Sequence, residues 1–263
     1  MKILKQGLDY NGIFDNVRKS VDRILITDYD GTLAPFNIDR NKAFPFPGIY
    51  DILRSIMQSD HSRVVVVSGR SIDDLKPFLD FENQPEIWGC HGWERMMPDG
   101  SYTVSQLSAD VSEGLEMAFR IALDGGLKDR CERKPASLAL HWRGADRGTV
   151  SGIRNGVGRH WARVAEEKGL SLHGFDGGME LRPPGRDKGN AVGAILEESG
   201  ESTSAVYLGD DATDEDAFRA VHLKGIGILV NSAYRPTSAD IWLKPPDELF
   251  DFLRKWSDAC GGQ

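Results

Sequence analysis

Residues 23–36 read RILITDYDGTLAPF. Ile24, Leu25, Ile26 and Thr27 are four apolar or β-branched residues in a row, the pattern of a strand buried on both faces of a parallel sheet. Asp28 closes that run, and Asp30 follows two residues on, just before Gly31. Carboxylates this close repel, and taking each out of water costs roughly several kcal/mol unless something compensates. A simple turn would use one Asp for a local hydrogen bond, not two. The segment therefore asks for a cation or a proton-transfer task.

Working outward, short β-rich runs alternate with helical patterns: RILIT, PGIYDILRSIMQ, SRVVVVS, SIDDLKPFLD and PEIWGC. The rhythm implies parallel strands joined by right-handed crossovers. It resumes with KGNAVGAILEES as a helix, SAVYLGD as a strand, TDEDAFRAV as a helix, GIGILV and ADIWL as strands, and PDELFDFLRKW as a helix. Between the two stretches the pattern changes. GSYTVSQ reads as a strand, 109–123 as a helix, CERKPASLALHWRG as one half-buried strand, and 146–168 as a glycine-interrupted helix. LSLHGF and GGMELRP then suggest a hairpin around DGG. The expected fold class is α/β: a doubly wound, Rossmann-like parallel-sheet core, residues 1–100 and 184–263, carrying an inserted α+β cap domain over 101–183.

Bulk properties narrow the function. A net charge of −8, from 32 basic and 40 acidic residues, gives no electrostatic support for nucleic-acid binding. Residues 101–183 hold 12 Lys/Arg against 11 Asp/Glu, so the excess acid lies in the core, which suits a small anionic ligand accompanied by a cation. Cys90, Cys131 and Cys260 show no metal-ligand spacing and read as thiols of a reducing compartment. No stretch approaches the ~20 apolar residues of a membrane span, and the N-terminus lacks a signal-peptide apolar region. The expectation is a cytoplasmic monomer acting on a small molecule, without nucleic-acid or membrane partners.

Ligands of open α/β sheets bind beyond the carboxyl ends of the strands. Those ends carry Asp28, Asp30 and Thr32, then Ser68-Gly69-Arg70, then Asp210 and Asp211 with Asp214 behind them; Lys188 opens the helix that re-enters the core. Three carboxylates, a hydroxyl and an ammonium converging on one crevice suit Mg²⁺ and a phosphate. Each motif has a plainer reading taken singly. Ser68 could be a helix cap, DDATDED a solvated helix start, His141 an ordinary strand histidine, and Glu180 and Arg182 the wet face of a strand.

Taken together, DYDGT, VSGR, the following Lys188 and GDDATDEDAF resemble the haloacid dehalogenase-like phosphatases in order and spacing. DYDGTLAPF, GCHGWE, ERKPASLALHWR, ELRPPGRDKGNA and YLGDDATDEDAF look more narrowly like the trehalose-6-phosphate phosphatase family; Asn231 stands where that family more often has glycine. The resemblance implies Asp28 as nucleophile, Asp30 as general acid and base, and Thr32 orienting the pair. It implies Mg²⁺ held by Asp28, Asp210 and the Asp30 carbonyl, with Asp211 or Asp214 anchoring metal waters. Ser68 and Lys188 would bind phosphoryl oxygens. Arg70, Lys134, His141, Arg143, Glu180 and Arg182 would contact substrate. Alternatives are another capped sugar phosphatase, acting on sucrose 6-phosphate or a mannosyl- or glucosyl-3-phosphoglycerate, or a non-catalytic sugar-phosphate-binding regulator. A D-x-D glycosyltransferase gives no reason for Asp210 or the Ser68/Lys188 pair.

Overall fold

The computed structural model describes residues 1–37, 39–79, 81–175 and 177–261. Asp80, at the end of an expected helix, and Asp176, in the expected hairpin turn, lie outside the described residues. The strands in chain order are β1 Lys2–Ile3, β2 Asp22–Thr27, β3 Ser62–Val67, β4 Glu86–Gly89, β5 Glu94–Met96, β6 Tyr102–Val104, β7 Cys131–Lys134, β8 Ser137–His141, β9 Ser171–Phe175, β10 Gly178–Arg182, β11 Thr203–Gly209, β12 Gly225–Val230 and β13 Ile241–Leu243. The α-helices are α1 Tyr10–Lys19, α2 Ile49–Gln58, α3 Ile72–Leu75, α4 Ala109–Asp124, α5 Arg147–Ile153, α6 Arg159–Lys168, α7 Lys188–Glu197, α8 Glu215–Val221 and α9 Asp247–Cys260. They form two compact units, Met1–Thr103 with Arg186–Gln263, and Val104–Gly185.

In the first unit the sheet order is β1-β13-β12-β11-β2-β3-β4-β5-β6. The six strands from β13 to β4 are mutually parallel. Chain order reverses between β2 and β11, the topological switch point at which doubly wound sheets bind ligands. The apolar runs of β2 and β3 serve both faces at once. Leu25, Val64 and Val66 pack with α1, α2 and α9, whereas Ile24, Ile26, Val65 and Val67 pack with α7 and α8. This two-sided burial is why these strands read as continuous apolar runs rather than alternating ones.

The second unit is a four-stranded antiparallel sheet, β7-β8-β10-β9, with α4 and α6 on one side. Leu138, Leu140, Met179 and Leu181 pack there with Ala118, Trp161 and Val164. Several local expectations are corrected. CERKPASLALHWRG is two strands, β7 and β8, because the chain turns at Pro135-Ala136. Residues 146–168 form α5 and α6 joined by a π-helical turn, Arg154–Gly158, so the glycines alter the helix without ending it. Tyr102–Val104 lies at the edge of the large sheet, so the second unit begins later than the sequence pattern suggests. α3 is a single turn, followed by a 3₁₀ turn that carries Pro77 near its start.

Candidate active site

Asp28 and Asp210 follow β2 and β11, the two strands that flank the switch point. The Asp28 backbone N–H donates to the Leu208 carbonyl at 2.8 Å, tying the residue that follows β2 to strand β11. Gly31 has φ +83°, and a methyl group built on it would lie 2.0 Å from Asp210 Oδ2. Only glycine allows both that left-handed turn and the close approach of the second carboxylate.

Lys188, on the first turn of α7, is buried. Its Nζ lies 2.9 Å from Asp28 Oδ1 and 2.8 Å from Asp214 Oδ1. Asp214 is fully buried and each of its oxygens accepts twice. Oδ1 takes Lys188 Nζ and the Tyr207 hydroxyl at 2.5 Å; Oδ2 takes the backbone N–H groups of Asp210 and Asp211, both at 3.0 Å. Four donors exhaust the lone-pair sites of a carboxylate. Although ligand atoms of Asp28, Asp210 and Asp214 all lie within 4.8 Å of one another, Asp214 is spent on organising the loop. Asp211 is occupied too, capping the following turn through Thr213 N–H at 2.8 Å and the Thr213 hydroxyl at 2.6 Å.

The electrostatics ask for a cation. Burial pushes the Asp28 carboxyl well up; Lys188 opposes this, while Asp214 and Asp30 add to it. Asp210 is likewise raised, by burial first and then by Asp28, Asp214 and Asp211. At Asp211 burial is outweighed by Lys188 and the Thr213 donors, and its carboxyl falls below the ordinary value. No donor among the described residues reaches the Asp210 carboxylate. Hard carboxylate oxygens in a negatively unbalanced pocket fit a divalent cation. The donor set of Asp28 and Asp210 could hold one.

Around this cluster, Arg70 grips Asp30 from both sides, Nε to Oδ2 at 2.6 Å and Nη2 to Oδ1 at 2.5 Å. Its Nη1 donates to the Arg40 carbonyl at 2.9 Å. The sequence pattern gave Arg70 to the substrate, but here its guanidinium serves Asp30. Ser68 is buried, and its Oγ accepts the Arg70 backbone N–H at 3.2 Å. Thr32 is also fully buried, yet its hydroxyl meets no partner among the described residues. It therefore makes no hydrogen bond to Asp28 or Asp30, unlike the orienting contact expected of it.

In the second unit the remaining expected residues gather on one face. Glu132 lies opposite Ala139, Ala139 opposite Glu180, and Glu180 opposite His173. Directly paired residues share a face, and so do residues two apart along a strand, which adds Lys134, His141 and Arg182. Lys134 Nζ lies 2.9 Å from Glu180 Oε1, and the Ser137 hydroxyl donates to the same oxygen at 2.7 Å. His141 Nε2 lies 2.8 Å from Glu132 Oε2. Arg143 lies just beyond β8, where a methyl on Gly177 would sit 2.8 Å from its Cγ. Alternation thus sorts this sheet into an apolar side against the helices and a polar side of carboxylates and cations.

Sequence reasoning missed four residues. Glu132 joins His141 and Lys134; its alternation with Lys134 was the available signal. Tyr207 had none, being an apolar-strand residue whose hydroxyl happens to end at Asp214. Asn231 Nδ2 donates to the Asp210 carbonyl at 3.2 Å, and Arg235 Nε reaches the same oxygen at 3.3 Å. Both come from the loop after β12, whose proximity is a product of the sheet order.

A doubly wound sheet with six parallel strands, two acidic loops at its switch point, a buried lysine between them and an inserted α+β unit defines a haloacid dehalogenase-like phosphatase fold. The trehalose-phosphatase family profile matches residues 26–246, and the chain belongs to that family. A probable trehalose-phosphate phosphatase of rice is 29% identical over 266 residues, spanning 90% of this chain and 70% of its own length. The trehalose-phosphate phosphatase of Mycobacterium tuberculosis is 31% identical over 242 residues, spanning 86% of this chain but only 59% of its own. This chain thus spans well under the full length of the mycobacterial relatives it matches. Among solved structures, the C-terminal domain of Candida albicans trehalose-6-phosphate phosphatase superposes with a TM-score of 0.76 at 21% identity, covering 100% of both chains, a likeness of fold. No described helix is long and apolar enough to cross a membrane.

Proposed function

We propose that this chain hydrolyses trehalose 6-phosphate to trehalose and phosphate, with Mg²⁺ as its cation. The observation that carries the reading is the pairing of buried Lys188 with Asp28 beside the open carboxylate of Asp210, at the switch point of a family member's sheet. Asp28 attacks phosphorus and forms an acyl phosphate, splitting the hydrolysis into two displacements. Asp30, in its carboxylic-acid form, protonates the departing sugar oxygen; the carboxylate so formed, paired with Arg70, then takes a proton from the water that cleaves the acyl phosphate. Lys188 and Ser68 bind phosphoryl oxygens, where fixed donors count most in the transition state. Mg²⁺, held by Asp28, Asp210 and the Asp30 carbonyl, would supply positive charge between nucleophile and phosphoryl group. Asp214 then serves as the group that fixes Lys188 and the Asp210 loop, and Asp211 as a cap.

The second unit is the substrate domain in this reading. A disaccharide offers only hydroxyls, and the charged face of Glu132, Lys134, His141, Glu180 and Arg182 offers strong donors and acceptors for them. The reading includes a cytoplasmic monomer; light scattering on the purified chain would check that it is monomeric. The test of function is phosphate release from a panel of sugar phosphates, with Mg²⁺ and with EDTA. Metal-dependent turnover confined to trehalose 6-phosphate supports the whole reading. Turnover of another sugar phosphate keeps the Asp28 chemistry and removes the substrate. Wild-type turnover persisting in Asp28→Asn would refute the nucleophile.

A further inference from the structure

We propose that the Cys90-His91-Gly92 turn is a clamp on the Ser68-Gly69-Arg70 turn, and that His91 is the positioning residue that keeps Arg70 seated on Asp30. The functional consequence rests on the phosphatase reading above; the clamp itself does not. Cys90, His91 and Gly92 have φ of +50°, +57° and +96°. Among the described residues only three non-glycine residues have positive φ, and two of them are Cys90 and His91. Consecutive left-handed non-glycine residues are costly and persist only where their surroundings hold them. What they gain here is contact with the turn after β3. The His91 N–H donates to the Ser68 carbonyl at 2.9 Å and the Cys90 N–H to the Arg70 carbonyl at 2.7 Å. Together these two bonds bracket the Ser68-Gly69-Arg70 backbone.

The imidazole completes the clamp. A methyl built on Gly69 would lie 2.7 Å from His91 Cε1 and 2.8 Å from Nε2, so the buried ring lies directly against the Gly69 backbone. With the turn fixed at both ends and along its middle, the Arg70 side chain leaves from a fixed origin. It passes over the Tyr29 and Phe78 rings, 5.6 and 5.3 Å from their centroids, and reaches both oxygens of Asp30. Glu94 supports the same arrangement, its Oε2 accepting from the Ile72 N–H at 3.0 Å and from Cys90 Sγ at 3.1 Å. His91 thus acts through Arg70 and need not touch substrate.

The test follows hydrogen exchange of the Arg70 Nε–H by ¹⁵N NMR in wild type and in His91→Asn. Asparagine tolerates the left-handed backbone but lacks the ring. Exchange at Arg70 should accelerate about tenfold or more, whereas Arg95, paired elsewhere with Glu86 and Glu198, should not change. A folded variant with unchanged Arg70 exchange, or with Arg95 accelerated equally, overturns the clamp whether or not the chain is a phosphatase. The second readout is the ratio of kcat/KM for the sugar phosphate to that for p-nitrophenyl phosphate, whose leaving group needs little protonation. General acid catalysis contributes ~100-fold or more, so a displaced Asp30 should lower the ratio about tenfold; equal falls on both esters contradict the positioning role. Gly69→Ala pushes on the ring from the other side and should reproduce both signatures if His91→Asn does not fold. If neither variant folds, the turn is a folding element only and the proposal falls.

Discussion

Replacing Asp214 by Asn tests whether this residue organises the site or binds its metal. The change is nearly isosteric, but an amide offers one acceptor atom where the carboxylate offers two. Whichever way the amide turns, two of the four donors now on Asp214 lose their acceptor: Lys188 and Tyr207, or the Asp210 and Asp211 N–H groups. Each unsatisfied buried donor costs ~1–3 kcal/mol, so the donor loss is about 2–6 kcal/mol. The Coulomb changes oppose one another. At an effective dielectric of about 20, attraction to Lys188 at 2.8 Å is worth ~6 kcal/mol, and repulsion from ionised Asp28 and Asp210, within 4.8 Å, is ~3 kcal/mol each. With both ionised these offset to first order; below their raised pKa both are neutral and the lost attraction adds to the deficit, so the donor loss sets the minimum. At 2–4 °C per kcal/mol for a domain of about 150–250 residues, Tm should fall by at least ~4 °C. Calorimetry of wild type and D214N in EDTA and in Mg²⁺ measures it. An organising role predicts the fall in both. A Tm in EDTA within ~2 °C of wild type, with the deficit appearing only in Mg²⁺, would mean that Asp214 is a metal ligand and that its hydrogen bonds contribute little.

Three further outcomes are expected. Gly31→Ala should abolish phosphatase activity, because its methyl collides with Asp210 Oδ2, whereas Gly7→Ala, at φ +77° with open space around it, should keep full activity. Stabilisation by Mg²⁺, read as the Tm difference between Mg²⁺ and EDTA, should grow as pH rises from about 5 to 8. Asp28 and Asp210 have raised carboxyls, so their contribution to the metal-free fold is present at low pH and lost as pH rises through their folded pKa; there the ion replaces the departing protons. A pH-independent Mg²⁺ effect would place the ion elsewhere. Glu180→Ala removes the acceptor that the Lys134 ammonium and the Ser137 hydroxyl share on the polar face of the second unit, and should raise KM for trehalose 6-phosphate at least about tenfold while leaving p-nitrophenyl phosphate kinetics unchanged. Equal effects on both esters would separate that face from sugar recognition.

The core of this protein was legible in its sequence because its elements are local and periodic. The run Ile24–Thr27 announces a doubly buried strand, and the carboxylates at its end declare a site. Glycine at position 31 and four ordered motifs at strand ends narrow the chemistry further. Such signals lie within a few residues of one another, where hydrophobic period and turn chemistry operate. What depended on strand order and register was not legible. The division of labour among Asp210, Asp211 and Asp214 follows from which oxygens the Tyr207 hydroxyl, the Lys188 ammonium and two backbone N–H groups reach, and no spacing in GDDATDEDAF encodes it. Arg70 could as well have faced a phosphate; only the path of its side chain over Tyr29 and Phe78 delivers it to Asp30. Glu132, Lys134 and Glu180 meet because β7, β8 and β10 pair in one register, bringing together residues nearly fifty positions apart. Sequence determined which groups this protein possesses and the strand ends at which they sit, while the tertiary structure decided which of them touch, because hydrogen bonds and ion pairs act over ~3 Å and the chain must fold to bring their partners within that reach.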